Sequence, residues 1–174
     1  MTDAFPNITR AYSQQHVEYV RSELEMVPLP LRRLVADAGF SWYVLDAGMT
    51  GQFVGLGGDV GADGRSASTT SHVNHRNRRI VLYGVRSRDE GFSIIHHEFA
   101  HVLDDALGRV SRHLAFAGTP LDWYAATDPA ERFAQAFTAY LTPDRAECPW
   151  YAVHTQEQLR KQEPDLYHYF ERIS

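Results

Sequence analysis

Two histidines and a glutamate with the spacing of a metal site lie in the stretch IIHHEFAHVLDD, residues 94 to 105. If this stretch is helical, each residue advances by about 100 degrees, so His101 lies about 40 degrees round from His97. Two imidazoles one turn apart can bind the same zinc ion, Zn²⁺. Glu98 follows His97 directly and can reach a water in the open position of such a metal. The H-E-x-x-H spacing therefore predicts His97 and His101 as zinc ligands and Glu98 as the general base.

The same helical phase gives the neighbouring His96 a packing role. His96 lies about 260 degrees round from His97, inside an arc of apolar side chains. The members of that arc are Ile95, Phe99, Ala100, Val102, Leu103, Ala106 and Leu107. We therefore expect His96 to be in the core or to support the site from behind, and not to bind the metal.

Two acidic residues, Asp104 and Asp105, follow on or near the predicted metal face. A histidine that binds zinc through one ring nitrogen needs an acceptor for the other, and a carboxylate one turn away can serve. A solvated acidic pair explains the same two residues equally well. Both interpretations stay open at the level of the sequence.

A catalytic zinc ion usually takes three protein ligands, so the chain must supply one more. The segment from Asp128 begins as a helix should, with Asp128 at the N-cap, Pro129 next and an apolar repeat up to Leu141. Glu131 heads the polar stripe of this helix and is a candidate third ligand. The D-x-x-E spacing is also that of a capping box, in which Glu131 would bond back to Asp128. Spacing alone does not decide between the two roles.

The two helices together resemble the catalytic domain of the anthrax lethal factor and Pro-Pro endopeptidase group of zinc peptidases. The resemblance rests on H-E-F-A-H-V-L-D-D and E-R-F-A-Q-A-F-x-x-Y and covers about residues 78 to 141. It implies a zincin-like fold, Glu131 as the third zinc ligand and Tyr124, seven residues earlier, as the group that stabilises the transition state. Gln135 stands where the group has a second glutamate, a departure that bears on zinc tuning more than on zinc binding.

A rival third ligand is Asp122. The string GTPLDWY, residues 118 to 124, is similar to the G-T-x-D-x-x-Y signature of aspzincins, in which the aspartate binds the metal. Here one extra residue separates the threonine from the aspartate, and one fewer separates the aspartate from the tyrosine. Since both intervals differ, we favour Glu131 and keep Asp122 as the alternative.

Together these residues predict a zinc endopeptidase that acts on a peptide or protein. Zinc would polarise the peptide carbonyl and activate a water. Glu98 would move the proton from that water to the leaving amine, and Tyr124 would donate a hydrogen bond to the oxyanion. The resemblance implies a proline-rich substrate. The alternative is a non-catalytic zincin-like module that binds a protein partner or regulates a pathway, and the presence of Glu98 favours the enzyme.

Strands precede the metal helix, and helices dominate the chain after it. We predict helices over residues 10 to 26 and 29 to 38, and strands over 40 to 46, 52 to 57 and 78 to 84. Helices then follow from residue 89, with breaks at Gly108, residues 118 to 120, Pro129 and Pro143. This order predicts an α+β fold with a small mixed sheet, in a single domain over residues 1–174.

Three further features surround the predicted site. The strand at residues 78 to 84 directly precedes the metal helix, and it is either an edge to which a substrate adds a strand or an ordinary interior strand. The glycine-rich segment 55–71 is either a mobile flap over the cleft or a surface hairpin loop. We interpret His72 and His75 as surface histidines and not as a second metal site.

The composition limits the remaining classes of function. A chain of 174 residues, 44% of them hydrophobic, is long enough for one domain with a substantial core. The net charge of −5 argues against nucleic-acid binding. The single cysteine, Cys148, excludes an intramolecular disulfide and a cysteine-rich zinc module. We see no signal peptide and no membrane span, and expect a monomer that is either cytoplasmic or exported as an effector or toxin.

Overall fold

The computed structural model describes residue 5 and residues 7–46, 71–84, 93–114, 116–144 and 154–174. In chain order the elements are β1 (Asn7–Ala11), α1 (Gln14–Leu24), α2 (Leu29–Asp37), β2 (Ser41–Leu45), β3 (His72–Asn74), β4 (Arg79–Tyr83), α3 (Ile94–Ala106), a 3₁₀ turn (Val110–Arg112), α4 (Pro129–Leu141), α5 (Gln156–Gln162) and α6 (Pro164–Ile173). The predicted α+β class is confirmed. The strand predicted at 52 to 57 lies outside the described residues, and so does the glycine-rich segment except for Ser71.

The four strands form one mixed sheet in the order β1-β2-β4-β3. Strands β1, β2 and β4 run parallel, and β3 is antiparallel to β4. Ile80 lies opposite Trp42 on one side and Val73 on the other. Strand β4 is therefore interior, so of the two interpretations of residues 78 to 84 the ordinary interior strand is the one observed. Among the described strands the edges are β1 and β3.

The first predicted helix begins later than expected, because residues at its start belong to the sheet. Ile8 pairs with Trp42 and Ala11 pairs with Val44 in the neighbouring β2. The helix starts only after Ser13, whose side chain accepts a hydrogen bond from the backbone N–H of His16. Strand pairing with a distant segment thus overrides the local pattern. Helices α2 and α4 and strands β2 and β4 lie within one residue of their predicted bounds.

Helix α3 is the centre of the fold and contacts α1, α2, α4, β3 and β4. Its predicted apolar back is buried, at 1% exposure or less for Ile95, Phe99, Ala100, Val102 and Leu103. Each of these side chains except Ala100 stabilises the fold by roughly 1.5–3 kcal/mol relative to full exposure. Apolar packing on this scale fixes the rotation of the helix and hence the direction in which its polar residues point.

Aromatic rings join α3, α4 and α6. The ring centroids of Phe99 and Phe137 are 5.9 Å apart, and Phe170 lies 5.1 Å from Phe133 and 5.3 Å from Phe137. Rings at these separations contribute about 0.5–1.5 kcal/mol per pair beyond the area they bury. The C-terminal helix therefore helps to fix α4 against the metal helix.

The two histidines predicted at the surface differ from each other. His72 is buried at 8% exposure, because β3 pairs with β4 and also contacts α3. The prediction is therefore wrong for His72. The side chain of His75 is 34% exposed, and its Nδ1 lies 3.6 Å from Oδ1 of Asp105. A three-residue strand is too short for its sequence pattern to reveal which face is covered.

The loop before α4 is held close to the junction of α5 and α6. A Cβ added at Gly118 would overlap the carbonyl oxygen of Gln162, so only glycine permits this approach. The backbone N–H of Thr119 donates to the same carbonyl at 3.0 Å. None of the helices in the described ranges has the length and apolar character that a bilayer crossing requires.

Candidate metal centre

Helices α3 and α4 bring the three candidate ligands together. Nε2 of His97 lies 3.1 Å from Oε2 of Glu131 and 3.2 Å from Nε2 of His101. Nε2 of His101 lies 3.4 Å from the same Glu131 oxygen. All three ligand atoms lie within 4.8 Å of one another. Within the described ranges, no second group of three histidine, cysteine or acidic side chains meets in this way.

These separations fit a zinc ion. Tetrahedral zinc with bonds of about 2.0–2.1 Å places neighbouring ligand atoms about 3.3 Å apart. The three observed separations are 3.1, 3.2 and 3.4 Å. Two imidazoles and one carboxylate are also a donor set that zinc accepts, and they leave a fourth position for water or substrate. The residues present therefore fit the predicted metal.

Glu131 turns towards the histidines and not back to the start of its helix. Asp128 caps α4 by accepting a hydrogen bond of 2.7 Å from the backbone N–H of Ala130. Glu131 Oε2 instead contacts the imidazole nitrogens of His97 and His101. The capping-box role that the sequence left open is therefore not the one observed.

Arg132, beside Glu131, anchors the first turn of α4. Its Nε donates to Oε2 of Glu163 at 2.7 Å, and its Nη2 donates to the carbonyl oxygen of Gly118 at 2.5 Å. The guanidinium carbon lies 4.7 Å from the centre of the Phe116 ring. Glu163 is 2% exposed, so this is a buried ion pair. The contact between Arg132 and Glu163 was not predicted, because no local pattern links residues this far apart.

The electrostatics of Glu131 and His97 suit a metal cation. Burial tends to raise the pKa of Glu131, but hydrogen bonds from His101 and His97 outweigh it and hold the pKa well below its usual range. Burial lowers the pKa of His97. Burial has the same tendency at His101, but the hydrogen bond to Glu131 and the charge of Glu98 raise the pKa there. Glu131 is thus an anion at neutral pH, and His97 favours the neutral form that metals bind.

Glu98 is a buried carboxyl group next to these ligands, at 4% exposure. Burial raises its pKa to about 7, and the opposing charge of His101 offsets only part of that effect. A carboxylate exchanges protons most effectively when its pKa is near the working pH. The environment of Glu98 is therefore suitable for a general base.

His96 packs away from the metal face, as its helical phase predicted. It is 1% exposed, and its Nε2 donates a hydrogen bond of 2.8 Å to the carbonyl oxygen of Glu23. This contact ties α3 to the end of α1. His96 therefore fixes α3 on the side opposite the candidate metal ligands.

Asp104 and Asp105 serve structural contacts. The carboxylate of Asp104 accepts from the backbone N–H of Ser111 at 2.8 Å and from its hydroxyl at 2.7 Å. Asp105 accepts from Nε of Arg109 at 3.1 Å. The contacts seen for both residues support the turn after α3. They do not support the predicted role as hydrogen-bond partners of the metal-face histidines.

Tyr124 lies at the rim of the candidate site. Its ring centroid is 6.1 Å from that of His97, and 37% of the residue is exposed. Trp123 is 78% exposed, and its ring packs edge-on against Tyr124 with centroids 5.7 Å apart. Tyr124 is thus placed between the metal face and the solvent, where a substrate would enter.

Asp122 does not belong to the three-residue group. Its Oδ1 accepts from the backbone N–H of Ala125 at 2.7 Å. Its Oδ2 accepts from Nε2 of His154 at 2.9 Å and from Nε2 of Gln135 at 3.5 Å. Both carboxylate oxygens are thus engaged elsewhere, which disfavours Asp122 as the third ligand. His154 was not predicted and carries no motif that would have identified it.

Comparison with known proteins gives a fold but no family. No protein-family model matches the sequence, and no curated protein matches it. Among solved structures, the chain is similar to the Pro-Pro endopeptidase PPEP-2 from Paenibacillus alvei, with a TM-score of 0.65 and 18% sequence identity. The match covers 96% of this chain and 97% of that chain. The similarity supports a metallopeptidase-like fold over nearly the whole chain.

Proposed function

We propose that this protein is a zinc-dependent endopeptidase that hydrolyses a peptide bond in a peptide or protein. The observation that carries the proposal is the convergence of His97, His101 and Glu131 from two helices, at separations that fit tetrahedral zinc. Glu98 follows His97 directly on α3, and the ring centroid of Tyr124 lies 6.1 Å from that of His97, which supports the roles proposed for them. The similarity of the fold to an endopeptidase gives independent support.

Each residue has a defined task in the proposed reaction. A zinc ion bound by His97, His101 and Glu131 would polarise the carbonyl of the substrate and acidify a water. Glu98 takes the proton from the attacking water and passes it to the leaving amine. Tyr124 donates a hydrogen bond to the oxygen on which negative charge develops, a contact that is strongest in the transition state.

We further propose that the substrate is an extended, proline-containing peptide. The solved structure with a similar fold is named a Pro-Pro endopeptidase, and the two helix motifs resemble the same group. An extended peptide can add to an exposed strand edge. With β4 interior, we propose β3 as the template, because it is an edge among the described strands and contacts α3.

The proposal is tested by zinc content and by cleavage of a peptide library that contains both proline-rich and proline-free sequences. The proteins compared are the wild type, Glu98→Gln and Glu131→Ala. Glu157→Gln is the matched control, because Glu157 is an exposed carboxylate paired with Lys161 on α5. We expect Glu98→Gln to keep zinc and lose cleavage, and Glu131→Ala to lose both. The control should behave as the wild type.

Two outcomes would contradict the proposed function or its ligand set. If the wild type binds zinc and cleaves nothing in the library, the catalytic proposal is wrong and the non-catalytic binding module takes its place. If Glu131→Ala retains both zinc and cleavage, Glu131 is not the third ligand. Cleavage of proline-free peptides alone would refute only the substrate proposal.

A further inference from the structure

One carboxylate, that of Asp122, closes the turn that carries Tyr124. The backbone N–H of Ala125 donates to its Oδ1 at 2.7 Å. Trp123 and Tyr124 lie between the two residues that this hydrogen bond joins. The carbonyl oxygen of Tyr124 accepts from the backbone N–H of Thr127 at 3.0 Å and from its hydroxyl at 2.7 Å. The backbone on both sides of Tyr124 is therefore fixed by local hydrogen bonds.

The other oxygen of Asp122 ties this turn to the rest of the protein. It accepts a hydrogen bond from His154 at 2.9 Å, and it lies 3.5 Å from the amide nitrogen of Gln135. Gln135 is 7% exposed and stands one turn after Glu131 on α4. The turn with Tyr124 is thus connected to the helix that carries the proposed third ligand.

His154 is itself held in place by its neighbours. Thr155, the next residue, caps α5 in a capping box with Gln158. The backbone N–H of Gln156 donates to the carbonyl oxygen of Thr142 at 3.1 Å, just beyond the end of α4. The backbone next to His154 is therefore held by hydrogen bonds at the start of α5. The side chain of His154, which contacts Asp122, is 17% exposed.

We propose that Asp122 and His154 are positioning residues for Tyr124, an inference that rests on the proposed peptidase activity. Tyr124 is 37% exposed and stands on a turn, so apolar packing alone does not fix its hydroxyl. A transition-state donor must be held in place before the reaction, and a shift of about 1 Å can cost on the order of 100-fold in rate. The Asp122–His154 pair ties this locally closed turn to the segment before α5.

A double-mutant cycle on the zinc-loaded enzyme tests this role. The proteins are the wild type, His154→Ala, Tyr124→Phe and the double variant, assayed on a peptide that the wild type cleaves. We expect His154→Ala to lower kcat roughly tenfold to 100-fold in the wild type and less than about twofold in Tyr124→Phe. Zinc content should stay the same in all four proteins.

Two further variants separate positioning from general stability. His154→Gln keeps a side-chain N–H donor and should restore most of kcat. His168→Ala is the matched control, because His168 also pairs with a carboxylate, Glu171, at 2.9 Å, but on the exposed face of α6. It should leave kcat unchanged. If His154→Ala does not fold, the same cycle is run with Asp122→Asn.

A readout that does not depend on activity is the mobility of Trp123 within the same turn. The chain has 3 tryptophans, and Trp42 is fully buried, so a Trp150→Phe background leaves Trp123 as the exposed reporter. We expect His154→Ala to accelerate the fluorescence anisotropy decay of Trp123, and His154→Gln to do so much less. Unchanged decay in His154→Ala would contradict the proposed support of the turn.

The outcomes distinguish this inference from the function on which it rests. A wild type without cleavage refutes the proposed function. An active wild type in which His154→Ala lowers kcat equally with and without the Tyr124 hydroxyl refutes the positioning role. Loss of zinc on Asp122→Asn would also refute it, and would restore Asp122 as a metal ligand.

Discussion

Oε2 of Glu131 lies 3.1 Å from Nε2 of His97, although the two residues are 34 positions apart and belong to different helices. The contact depends on the packing of α3 against α4, which buries Phe99 and Phe137 between them. An anionic carboxylate that faces two imidazole nitrogens at this distance is an arrangement that attracts a cation. We therefore expect the affinity for a metal to depend on the packing of the core behind this group.

Zinc should raise the thermal stability of the wild type. A ligand at about 1,000 times its Kd stabilises the folded state by about 4 kcal/mol. For a chain of 174 residues this corresponds to a Tm increase of roughly 10 °C. Thermal unfolding with excess zinc and with a chelator measures the difference. Glu131→Ala should show only a small shift, and an equal shift in both proteins would contradict the proposed ligand set.

Glu98→Gln should stabilise the metal-free protein at high pH. Because burial raises the folded-state pKa of Glu98 from 4.5 to about 7, the native state holds more protons than the unfolded state between these values. Stability therefore falls as pH rises through this window, and the full penalty of about 3 kcal/mol is present above pH 7. Glutamine cannot ionise, so the variant avoids the penalty.

Urea unfolding of the chelator-treated proteins at about pH 4.5 and about pH 8 checks this expectation. The variant should exceed the wild type by up to about 3 kcal/mol at the higher pH and by little at the lower pH. Glu157→Gln, at an exposed site, should change stability by less than about 0.5 kcal/mol at either pH. A pH-independent difference for Glu98→Gln would show that Glu98 ionises normally.

Arg132→Ala should destabilise the protein by about 3–5 kcal/mol, because it leaves the carboxylate of Glu163 buried without its partner. The double variant Arg132→Met with Glu163→Leu removes both charges and should recover much of that loss. Urea unfolding measures both effects. If the double variant is no more stable than Arg132→Ala, the cost does not come from the uncompensated charge.

Gly118, in the loop before α4, and Gly108, just after α3, should respond differently to substitution by alanine. At Gly118 a Cβ would overlap the carbonyl oxygen of Gln162, so the loop must move away from the junction of α5 and α6. At Gly108 there is open space, but φ is +80°, which strains any other residue. We expect Gly108→Ala to cost about 1 kcal/mol without loss of cleavage, and Gly118→Ala to cost about 2 kcal/mol or more.

Measured cleavage separates the two glycine variants further. Gly118→Ala should also slow cleavage, because the displaced loop leads directly to Tyr124. Equal catalytic rates for the two variants would show that the position of this loop does not matter for the reaction.

The sequence was most informative where a pattern is local. The phase of one helix was enough to separate His97 and His101 from His96, because 3.6 residues per turn fixes which side chains share a face. Asp128 and Pro129 likewise marked the start of α4 correctly. These features depend only on residues within a few positions of one another.

Features that depend on distant partners were missed. Nothing near Ile8 or His72 in the sequence reveals that these residues pair with other strands. Strand β1 and the pairing of β3 were therefore not predicted, and the position of β4 within the sheet was left open. The contacts of Arg132 with Glu163 and of Asp122 with His154 join segments 31 and 32 positions apart. Only tertiary packing brings such groups together.

The contact between Arg132 and Glu163 can form only after the chain has been synthesised as far as Glu163. A growing chain that has been made as far as Arg132 carries all three proposed zinc ligands, but the carboxylate that anchors α4 is added 31 residues later. At about 5–20 residues per second, the interval lasts a few seconds. The proposed peptidase would therefore stay incomplete while its own unfolded chain is the nearest peptide.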